Sequence, residues 1–427
     1  MALIIQKYGG SSIPTIERIK DVARRVVATR TRGQDVVVVM SAMGGTTDEL
    51  LRRARDIATV PPARELDALL ATGEQASNAL TAMAIHELGA EAYSFTGWQA
   101  GVMTSPAHGA ADIVDVQPYR IRYALDRGVI PLVAGFQGLS RENAEVTTVG
   151  RGGSDTTAVA LAAALEAEIC EIYTDVSGVY TADPKVVPEA GLLDHLTHQQ
   201  MREMAAGGAK VLALPSVDYA GNHAVTLHVR SSYHDRPGTV VSGEPGITPH
   251  RPPVISVTHD PCVAKVTLTG IPKPMGSAEA VREAMAAAGI AATELRTASA
   301  SDGRSADITL ALPRTAVATG LLALRTHRTE IGYEHVMCDS YAATASLVGS
   351  GLSRCPEIAA TLRRTLTDIG VPYTPITVTD TRISLLCPPS RLLDAVRALH
   401  RAFVAGPLCP PLSPAIPRMG VPLALQP

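Results

Sequence analysis

Aromatic side chains are scarce in this sequence, at 4% of its 427 residues, and neither charge sign dominates. With so few aromatic rings, platforms on which bases or sugars could stack are not expected. The formal net charge of -3 supplies no basic field for nucleic acid and no acidic tail. We therefore expect no nucleic-acid partner.

Metal-ligand and disulfide patterns are also missing. The six cysteines stand singly without a CxxC pair, and the twelve histidines include no HExxH motif. This spacing predicts no zinc site, no other metal site built from protein ligands alone, and no disulfide framework. The start, MALIIQKYGG, lacks a signal-peptide pattern, and no run of 18 consecutive apolar residues occurs. We expect a cytoplasmic protein that does not contact a membrane.

The first 245 residues alternate strand-like and helix-like segments. Asp35 to Met40 is a continuous β-branched run, typical of a strand buried on both faces. Asp155 to Leu165 is alanine-rich, as a packed helix would be. The alternation predicts a three-layer α/β/α domain over residues 1–245, with a mainly parallel sheet and the site along one sheet edge.

The composition changes after residue 245. Residues 235–253 are rich in proline and glycine and look like a linker, and 246–263 are interpreted as the linker and the first strand of a second region. A weak repeat of about 75 to 80 residues follows. It predicts two ferredoxin-like α+β modules, at 264–335 and 336–405, each in strand–helix–strand–strand–helix–strand order. The proline-rich tail, 406–427, is expected to be flexible.

Four loops rich in glycine and hydroxyl residues stand at predicted strand-to-helix junctions, at 7–12, 41–48, 135–138 and 150–155. Glycine lets the backbone approach an anion, and a helix N-terminus presents free N–H groups to it. One such loop alone could be a tight turn. Four at one sheet edge, two with a cation, indicate a site for a polyphosphate and an acidic substrate. GxxxxGK(S/T), HRD and DFG motifs are absent, which excludes P-loop and protein-kinase mechanisms.

These segments resemble the aspartate kinase branch of the amino-acid-kinase family. Matching stretches in the family's order and spacing are KYGGSS (7–12), SAMGGTTD (41–48), TTVGRGGSDTTA (147–158) and YTDVSGVYTADPK (173–185). The repeated modules look like that family's tandem ACT domains. The resemblance implies ATP-dependent phosphorylation of the β-carboxylate of L-aspartate to 4-phospho-L-aspartate, with ATP and Mg2+ as cofactors. It also implies a homodimer or higher oligomer, paired through ACT modules that can bind an amino-acid effector.

The resemblance further implies roles for individual residues. Lys7, oriented by Asp155, would hold the transferred phosphate, and Lys210 would neutralise charge on the nucleotide. The implied nucleotide-binding residues are Lys7, Gly9, Gly10, Ser11, Thr174, Asp175, Tyr180, Asp183, Pro184, Lys185 and Lys210. Arg151 would bind the acidic substrate through a bidentate contact, and Glu74 would bind its ammonium group. The implied substrate-binding residues are Ser41, Thr47, Glu74, Arg151, Gly152, Gly153 and Ser154.

The regulatory half departs from the family pattern. In Gly270 to Ser277 a lysine replaces the usual acidic residue before the proline, and Ala291 to Glu294 stands where Asn-Ile-Asp is usual. The groups that would bind an effector's ammonium and carboxylate are therefore missing. We expect weakened or altered lysine and threonine feedback, as in a copy dedicated to one pathway, or modules that serve only as a dimerisation scaffold.

Other interpretations remain open from the sequence alone. The same chemistry could act on glutamate, a substituted aspartate or an amino-acid carbamate, and an inactive amino-acid-binding regulator is a further alternative. Among single residues, Glu74 and Arg151 could form a structural ion pair. Lys210 could be a solvated helix charge, and Asp183-Pro184 could be only a turn.

Overall fold

The computed structural model describes residues 2–150, 152–243, 253–272, 277–290, 294–299 and 305–405. Several predictions concern residues outside these ranges. They are the role of Arg151, the flexible tail at 406–427, residues 246–252 of the predicted linker, and the segments 273–276 and 291–293 of the first regulatory module.

The catalytic region contains twelve strands and seven helices among the described residues. Its strands are β1 (Leu3–Tyr8), β2 (Asp35–Met40), β3 (Ala92–Phe95), β4 (Val102–Thr104), β5 (Ile113–Val116), β6 (Ile130–Ala134), β7 (Gln137–Ser140), β8 (Val146–Thr148), β9 (Ile169–Thr174), β10 (His195–Thr197), β11 (Leu227–Ser231) and β12 (Thr239–Ser242). Its helices are α1 (Ile16–Thr31), α2 (Thr46–Ile57), α3 (Ala63–Glu87), α4 (Tyr119–Asp126), α5 (Gly153–Leu165), α6 (His198–Ala206) and α7 (Leu214–Asn222).

Eight of these strands form one sheet in the order β10-β12-β11-β9-β1-β2-β6-β3. Every pair is parallel except β11 with β12. Alternate residues of β2 enter different cores: Val37 and Val39 pack with α5 and α7, whereas Val36 and Val38 pack with α1 and α3. Helices thus cover both faces, and the predicted three-layer fold is confirmed.

A small second sheet, in the order β5-β4-β7-β8, lies beside the main one. Its strands are three or four residues long, too short to show a periodicity in the sequence. It matters for the site because β8 leads directly into the loop at 149–153.

The regulatory region contains six strands and five helices among the described residues. They are β13 (Val254–Pro272), α8 (Ser277–Ala287), β14 (Leu295–Ser299), β15 (Ser305–Pro313), α9 (Val317–Thr326), α10 (Arg328–Ile331), β16 (His335–Gly349), α11 (Pro356–Asp368), β17 (Thr374–Val378), β18 (Arg382–Cys387) and α12 (Leu392–Phe403). The strands make one antiparallel sheet, β14-β15-β13-β16-β18-β17.

Strands β13 and β16 each run through both modules. Their pairing extends from Val254 opposite Gly349 to Thr269 opposite His335, interrupted by bulges between Asp260 and Lys265. The division expected between residues 263 and 264 therefore falls inside a continuous strand. The part of β13 before the bulge packs with α11 and α12, so it completes the second module rather than linking to the first.

The two regions share a core. Ala182, Val186 and Val187 of the catalytic region pack into the apolar cluster of the second module. At the same junction the buried Thr181 hydroxyl lies 2.9 Å from His400 Nε2 on α12. Within the described part of the chain, no helix is both long and apolar enough to cross a membrane.

Candidate active site

The carboxyl end of β1 carries the predicted phosphate loop. After Tyr8 the chain turns through Gly9 into a short 3-10 turn at Gly10–Ser12, and Gly9 N–H donates to the Tyr173 carbonyl at 3.3 Å. A Cβ on Gly10 would lie 2.8 Å from the Ala42 carbonyl, so this position requires glycine. The loops after β1, β2 and β9 consequently meet at one sheet edge, where parallel α/β folds bind ligands.

Lys7 and Asp155 form a nearly buried ion pair at this edge. Lys7 Nζ lies 2.5 Å from Asp155 Oδ1, and each side chain is 11% exposed. Lys7 comes from β1 and Asp155 from the first turn of α5, 148 residues later. The carboxylate limits the orientation of the ammonium group, as expected for a cation that contacts a phosphate.

Glu74, on the inner face of α3, is 4% exposed. Its Oε1 accepts a 3.0 Å hydrogen bond from Ala42 N–H. Its Oε2 is buried and has no hydrogen-bond partner among the described residues. Burial raises the pKa of Glu74 to about 7, although the Ala42 bond opposes the shift. A buried carboxylate with a free oxygen is suited to receive a cationic group.

The start of α5 brings Ser154 to the same edge. Gly135, after β6, leaves room for it: a Cβ on Gly135 would lie 2.8 Å from that of Ser154. Gly152 has a left-handed backbone, with φ of 77°. Ser41 and Thr47, in the segment 41–48, are both half-buried, and the Ser41 carbonyl accepts a bond from Ser77 Oγ at 2.6 Å.

A cavity of about 270 Å³ lies beside the phosphate loop. Ser11 Oγ, on that loop, lies 3.5 Å from Asp175 Oδ1 at the cavity edge. All seven residues predicted from the 173–185 and 208–212 stretches to meet the nucleotide line this cavity: Thr174, Asp175, Tyr180, Asp183, Pro184, Lys185 and Lys210. Lys210 is exposed towards the cavity, and Lys185 N–H donates to the Asp183 side chain at 2.8 Å.

One wall of this cavity was not predicted. It is formed by residues 256–259 and Pro261 of β13, from the segment interpreted as a linker and first strand. Val257 N–H donates to the Thr181 carbonyl at 2.8 Å, and a Cβ on Gly208 would lie 2.4 Å from the His259 carbonyl. The apolar run at 254–257 predicts a strand, but no local pattern indicates that it reaches this cavity.

Phe136 is a second residue that the prediction did not single out. Its φ of 69° is rare for an aromatic residue, and its ring lies 3.0 Å from the position of a Cβ on Gly153. Such strain next to the substrate loop is typical of functional sites. The glycines in AGFQG (134–138), on either side of Phe136, were the feature of the sequence that could have indicated this residue.

No group of three or more His, Cys, Asp and Glu side chains that could hold a metal occurs among the described residues. Mg2+ commonly reaches kinase sites with the nucleotide and is held by phosphate oxygens, water and one or two carboxylates. Asp155 and Asp175 supply carboxylates at this edge, so the residues fit that form of binding.

Comparison with known proteins gives the family. Residues 2–231 match the Amino acid kinase family, and residues 346–403 match an ACT domain. The aspartokinase of Mycobacterium tuberculosis is 50% identical over 409 residues, covering 95% of this chain and 97% of that protein. The aspartokinase of Corynebacterium glutamicum is 50% identical over 408 residues, with the same shares covered.

Among solved structures, E. coli aspartokinase III in complex with aspartate and ADP matches with a TM-score of 0.79. The match covers 94% of this chain and 99% of that one at 23% identity, so it supports the fold. Together with the two relatives at 50% identity, these matches establish that the chain belongs to the amino acid kinase family, as a member of its aspartokinase branch with ACT domains.

Proposed function

We propose that this enzyme transfers the γ-phosphoryl group of ATP to the β-carboxylate of L-aspartate in the cytoplasm, giving 4-phospho-L-aspartate and ADP. The observation that carries the proposal is the buried Oε2 of Glu74, which has no hydrogen-bond partner among the described residues. The other carboxylate oxygen of Glu74 accepts a hydrogen bond from Ala42 N–H, and the Ala42 carbonyl lies against Gly10 of the phosphate loop. The Oε2 atom is suited to the ammonium group of an amino acid whose other end reaches Lys7.

On the substrate side, Glu74 binds the ammonium group and Arg151 binds a substrate carboxylate through its fork of N–H donors. Ser41, Thr47 and Ser154, with the backbone of Gly152 and Gly153, complete the hydrogen bonds. The β-carboxylate is already ionised at neutral pH, so its oxygen attacks the γ-phosphorus without a general base. One P–O bond forms to the carboxylate as the bond from the γ-phosphorus to the ADP oxygen breaks.

On the phosphate side, the site acts by positioning and by cationic stabilisation, because the transition state of phosphoryl transfer is loose and its charge is spread. Lys7 and the N–H groups of Gly9, Gly10 and Ser11 contact the transferred group. Asp155 holds the Lys7 ammonium in place, supported by the 2.5 Å ion pair. Bound Mg2+ would neutralise charge on the phosphates.

The nucleotide occupies the 270 Å³ cavity. Lys185 and Lys210 supply positive charge at its rim, and the loop at 174–184 lies along the base and sugar. Asp175 at the cavity edge lies 3.5 Å from Ser11 Oγ of the phosphate loop, which supports a nucleotide whose phosphates extend from the cavity to that loop.

The proposal is tested by trapping the acyl phosphate with hydroxylamine. Purified protein is incubated with ATP and Mg2+, together with L-aspartate, D-aspartate, L-glutamate or no acceptor. We expect hydroxamate with L-aspartate alone, and its loss in Lys7→Ala but not in the matched control Lys20→Ala. Lys20 is an exposed lysine on α1, away from the site. A signal only with another acceptor would identify a different amino-acid substrate, and no signal with any acceptor would refute the proposal.

We further propose that feedback by lysine and threonine is weakened, in keeping with a copy dedicated to one pathway. Glu294 is the last residue of the segment that stands where Asn-Ile-Asp is usual, and its carboxylate is already bound by Arg382 at 2.9 Å. It is therefore not free to receive an effector's ammonium. Inhibition by both amino acids together, at the low concentrations that inhibit a regulated aspartokinase assayed in parallel, would contradict this part of the proposal.

Pairing with a second copy through the regulatory sheet is the proposed assembly. The first half of β16 is exposed, including Met337 at 57% and Tyr341 at 81%. Light scattering should give a dimer or a higher oligomer, and Tyr341→Asp should shift the mass towards the monomer. A wild-type monomer at micromolar concentration would contradict this assembly.

A further inference from the structure

His108 lies between two carboxylates outside the residues assigned above. Its Nδ1 is 2.9 Å from Asp67 Oδ2, and its Nε2 is 3.2 Å from Glu145 Oε2. A neutral imidazole carries one N–H, and an ionised carboxylate can only accept. Both contacts are therefore hydrogen bonds only when the ring is an imidazolium, with both nitrogens donating.

Asp67 connects this imidazolium to the surrounding backbone. The carboxylate is 1% exposed and also accepts from Gly109 N–H at 3.0 Å and Thr148 N–H at 3.1 Å, and from Thr148 Oγ1 at 2.6 Å. Helix α3, the loop at 105–112 and the end of β8 are thus joined through one side chain.

The joined segments lead directly to the substrate loop. Thr148 is the last residue of β8, and the loop at 149–153 follows it. Ala111 N–H donates to the Thr148 carbonyl at 2.9 Å, and a Cβ on Gly150 would lie 3.4 Å from the Gly109 carbonyl. The loop at 105–112 therefore forms a support beneath Gly150, the residue before Arg151.

The charges around His108 come from two elements. On α3, Asp67 faces Nδ1, while Arg64 pairs with Glu145 at 2.7 Å. On the β7–β8 turn, Glu145 faces Nε2 and also accepts from Asn143 at 3.1 Å. The bond to Asp67 raises the pKa of His108, partial burial opposes this, and Glu145 raises it further. The raised pKa favours the charged form of the ring.

We propose that the His108 imidazolium, bound between Asp67 and Glu145, is a positioning residue that holds Thr148 and Gly150 in place next to Arg151, the residue proposed to bind the substrate carboxylate. The inference rests on the proposed aspartate kinase activity. When the ring loses its proton, one of the two carboxylate contacts is lost, and the loop at 105–112 is released from the β7–β8 turn. Binding of the amino-acid substrate then weakens, whereas binding of ATP does not change.

Deprotonation of His108 and deprotonation of Glu74 change KM for aspartate in opposite directions. As pH rises through about 7, Glu74 ionises and binds the substrate ammonium better, so KM for aspartate falls. Loss of the His108 proton has the opposite effect and raises KM for aspartate. The part of the wild-type profile in which KM rises with pH, the alkaline limb, is therefore assigned to His108.

The test measures KM for aspartate, KM for ATP and kcat between pH 6 and 9.5, by ADP release, in wild type, His108→Gln and Glu145→Gln. The glutamine at 108 cannot carry the charge, so KM for aspartate should be raised on the order of 3- to 10-fold at pH 7 and should lack the alkaline limb. Glu145→Gln removes one carboxylate, which should move the alkaline limb to lower pH.

His86→Gln is the matched control, because His86 lies on α3, the helix that carries Asp67, and its Nε2 is 2.8 Å from the Ala92 carbonyl rather than from a carboxylate. Its profile should follow the wild type. Glu145 is partly exposed, so its variant keeps the test valid if His108→Gln does not fold.

Three results would overturn the positioning role of His108, and one of them would also overturn the proposed function. Profiles of the same shape in wild type, His108→Gln and Glu145→Gln would overturn the positioning role and leave the proposed function standing. An equal change in KM for ATP would also overturn it, since a general loss of structure would then explain the effect. Absence of aspartate-dependent ADP release in wild type at every pH would overturn the proposed function and this inference with it.

Discussion

In the catalytic region, the buried Glu74 keeps one oxygen without a partner among the described residues, whereas at the regulatory sheet the buried Arg382 meets two glutamates. Arg382 Nε lies 2.9 Å from Glu203 on α6, and its Nη1 lies 2.9 Å from Glu294 before β14. A buried charge whose partners are all within the fold stabilises the fold. One that lacks a partner is destabilising until a ligand supplies it. The contrast distinguishes a structural charge from a binding charge.

Removing the satisfied charge should have the largest effect on stability. Arg382→Met leaves the buried Glu294 without its cation and removes the 2.9 Å partner of the partly buried Glu203, and we expect the free energy of unfolding to fall by about 3–5 kcal/mol. Urea unfolding would measure it. The matched control is Arg354→Met, because Arg354 pairs with Asp380 at 2.7 Å but is 78% exposed, and should change little. Equal losses of unfolding free energy in the two variants would contradict the structural role of Arg382.

Removing the charge beside the phosphate should affect the rate rather than the fold. Asp155→Asn keeps the shape but removes the anion that holds Lys7, and we expect kcat to fall about 100-fold or more. The thermal melting temperature should change much less. Asp126→Asn, at the exposed end of α4, serves as the control for the same substitution. A variant that melts many degrees lower, with unchanged kcat, would assign the pair a structural role.

Glu74→Gln tests the binding charge, because this substitution should stabilise the ligand-free protein and at the same time weaken binding of aspartate. The pKa of Glu74 is about 7 in the folded protein and near 4.5 in the unfolded chain. The folded state thus holds a proton that the unfolded state has released, so the ligand-free protein loses stability as pH rises from 4.5 to 7. We expect Glu74→Gln to be more stable than wild type at pH 8 by about 1–3 kcal/mol.

The same substitution should raise KM for aspartate about 100-fold, because the ammonium group loses its ionic partner. Thermal melting at pH 5 and pH 8 checks the stability effect, and initial rates check the binding effect. If wild type and variant lose stability equally between these pH values, Glu74 is not the strained carboxylate. An unchanged KM would exclude it from the substrate site.

The smallest expected effect lies at the junction of the two regions. Thr181→Val removes the bond to His400 and the 3.0 Å bond that Thr181 Oγ1 accepts from Gly191 N–H. Residues 182–185, at the nucleotide cavity, follow directly. We expect KM for ATP to rise about 3- to 10-fold with little change in KM for aspartate. Thr181→Ser keeps the hydroxyl and should restore binding; if it behaves like valine, the hydroxyl is not responsible.

Sequence alone predicted the elements whose signal is local. The β-branched run at 35–40 forms β2, and the glycine loops meet at one sheet edge because parallel strands end there. Six of the predicted nucleotide residues line one cavity because they belong to the single continuous segment TDVSGVYTADPK, whereas the cavity lining does not include Lys7, Gly9, Gly10 and Ser11 of the phosphate loop. The chemical roles of these residues remain predictions, which the variants above test.

The features that the sequence did not predict join distant segments. Asp67, His108 and Glu145 come from three elements, and Arg382 meets Glu294 across 88 residues. Neither residue spacing nor periodicity encodes such contacts. The path of β13 was missed for the same reason: its strand character is local, but its pairing with β16 and its contact with Thr181 are not.

The course of β13 has a consequence for how such enzymes can be recombined. The segment 256–261 serves the regulatory sheet and also closes the nucleotide cavity. A chimera joined at residue 245 would pair this catalytic region with a foreign cavity wall, and its affinity for ATP would change with each donor. A junction placed in the bulge after Asp260, which keeps the native segment 254–260 with the catalytic region, would exchange effector specificity while most of the wall stays native. Replacement of the regulator during evolution would face the same choice of junction.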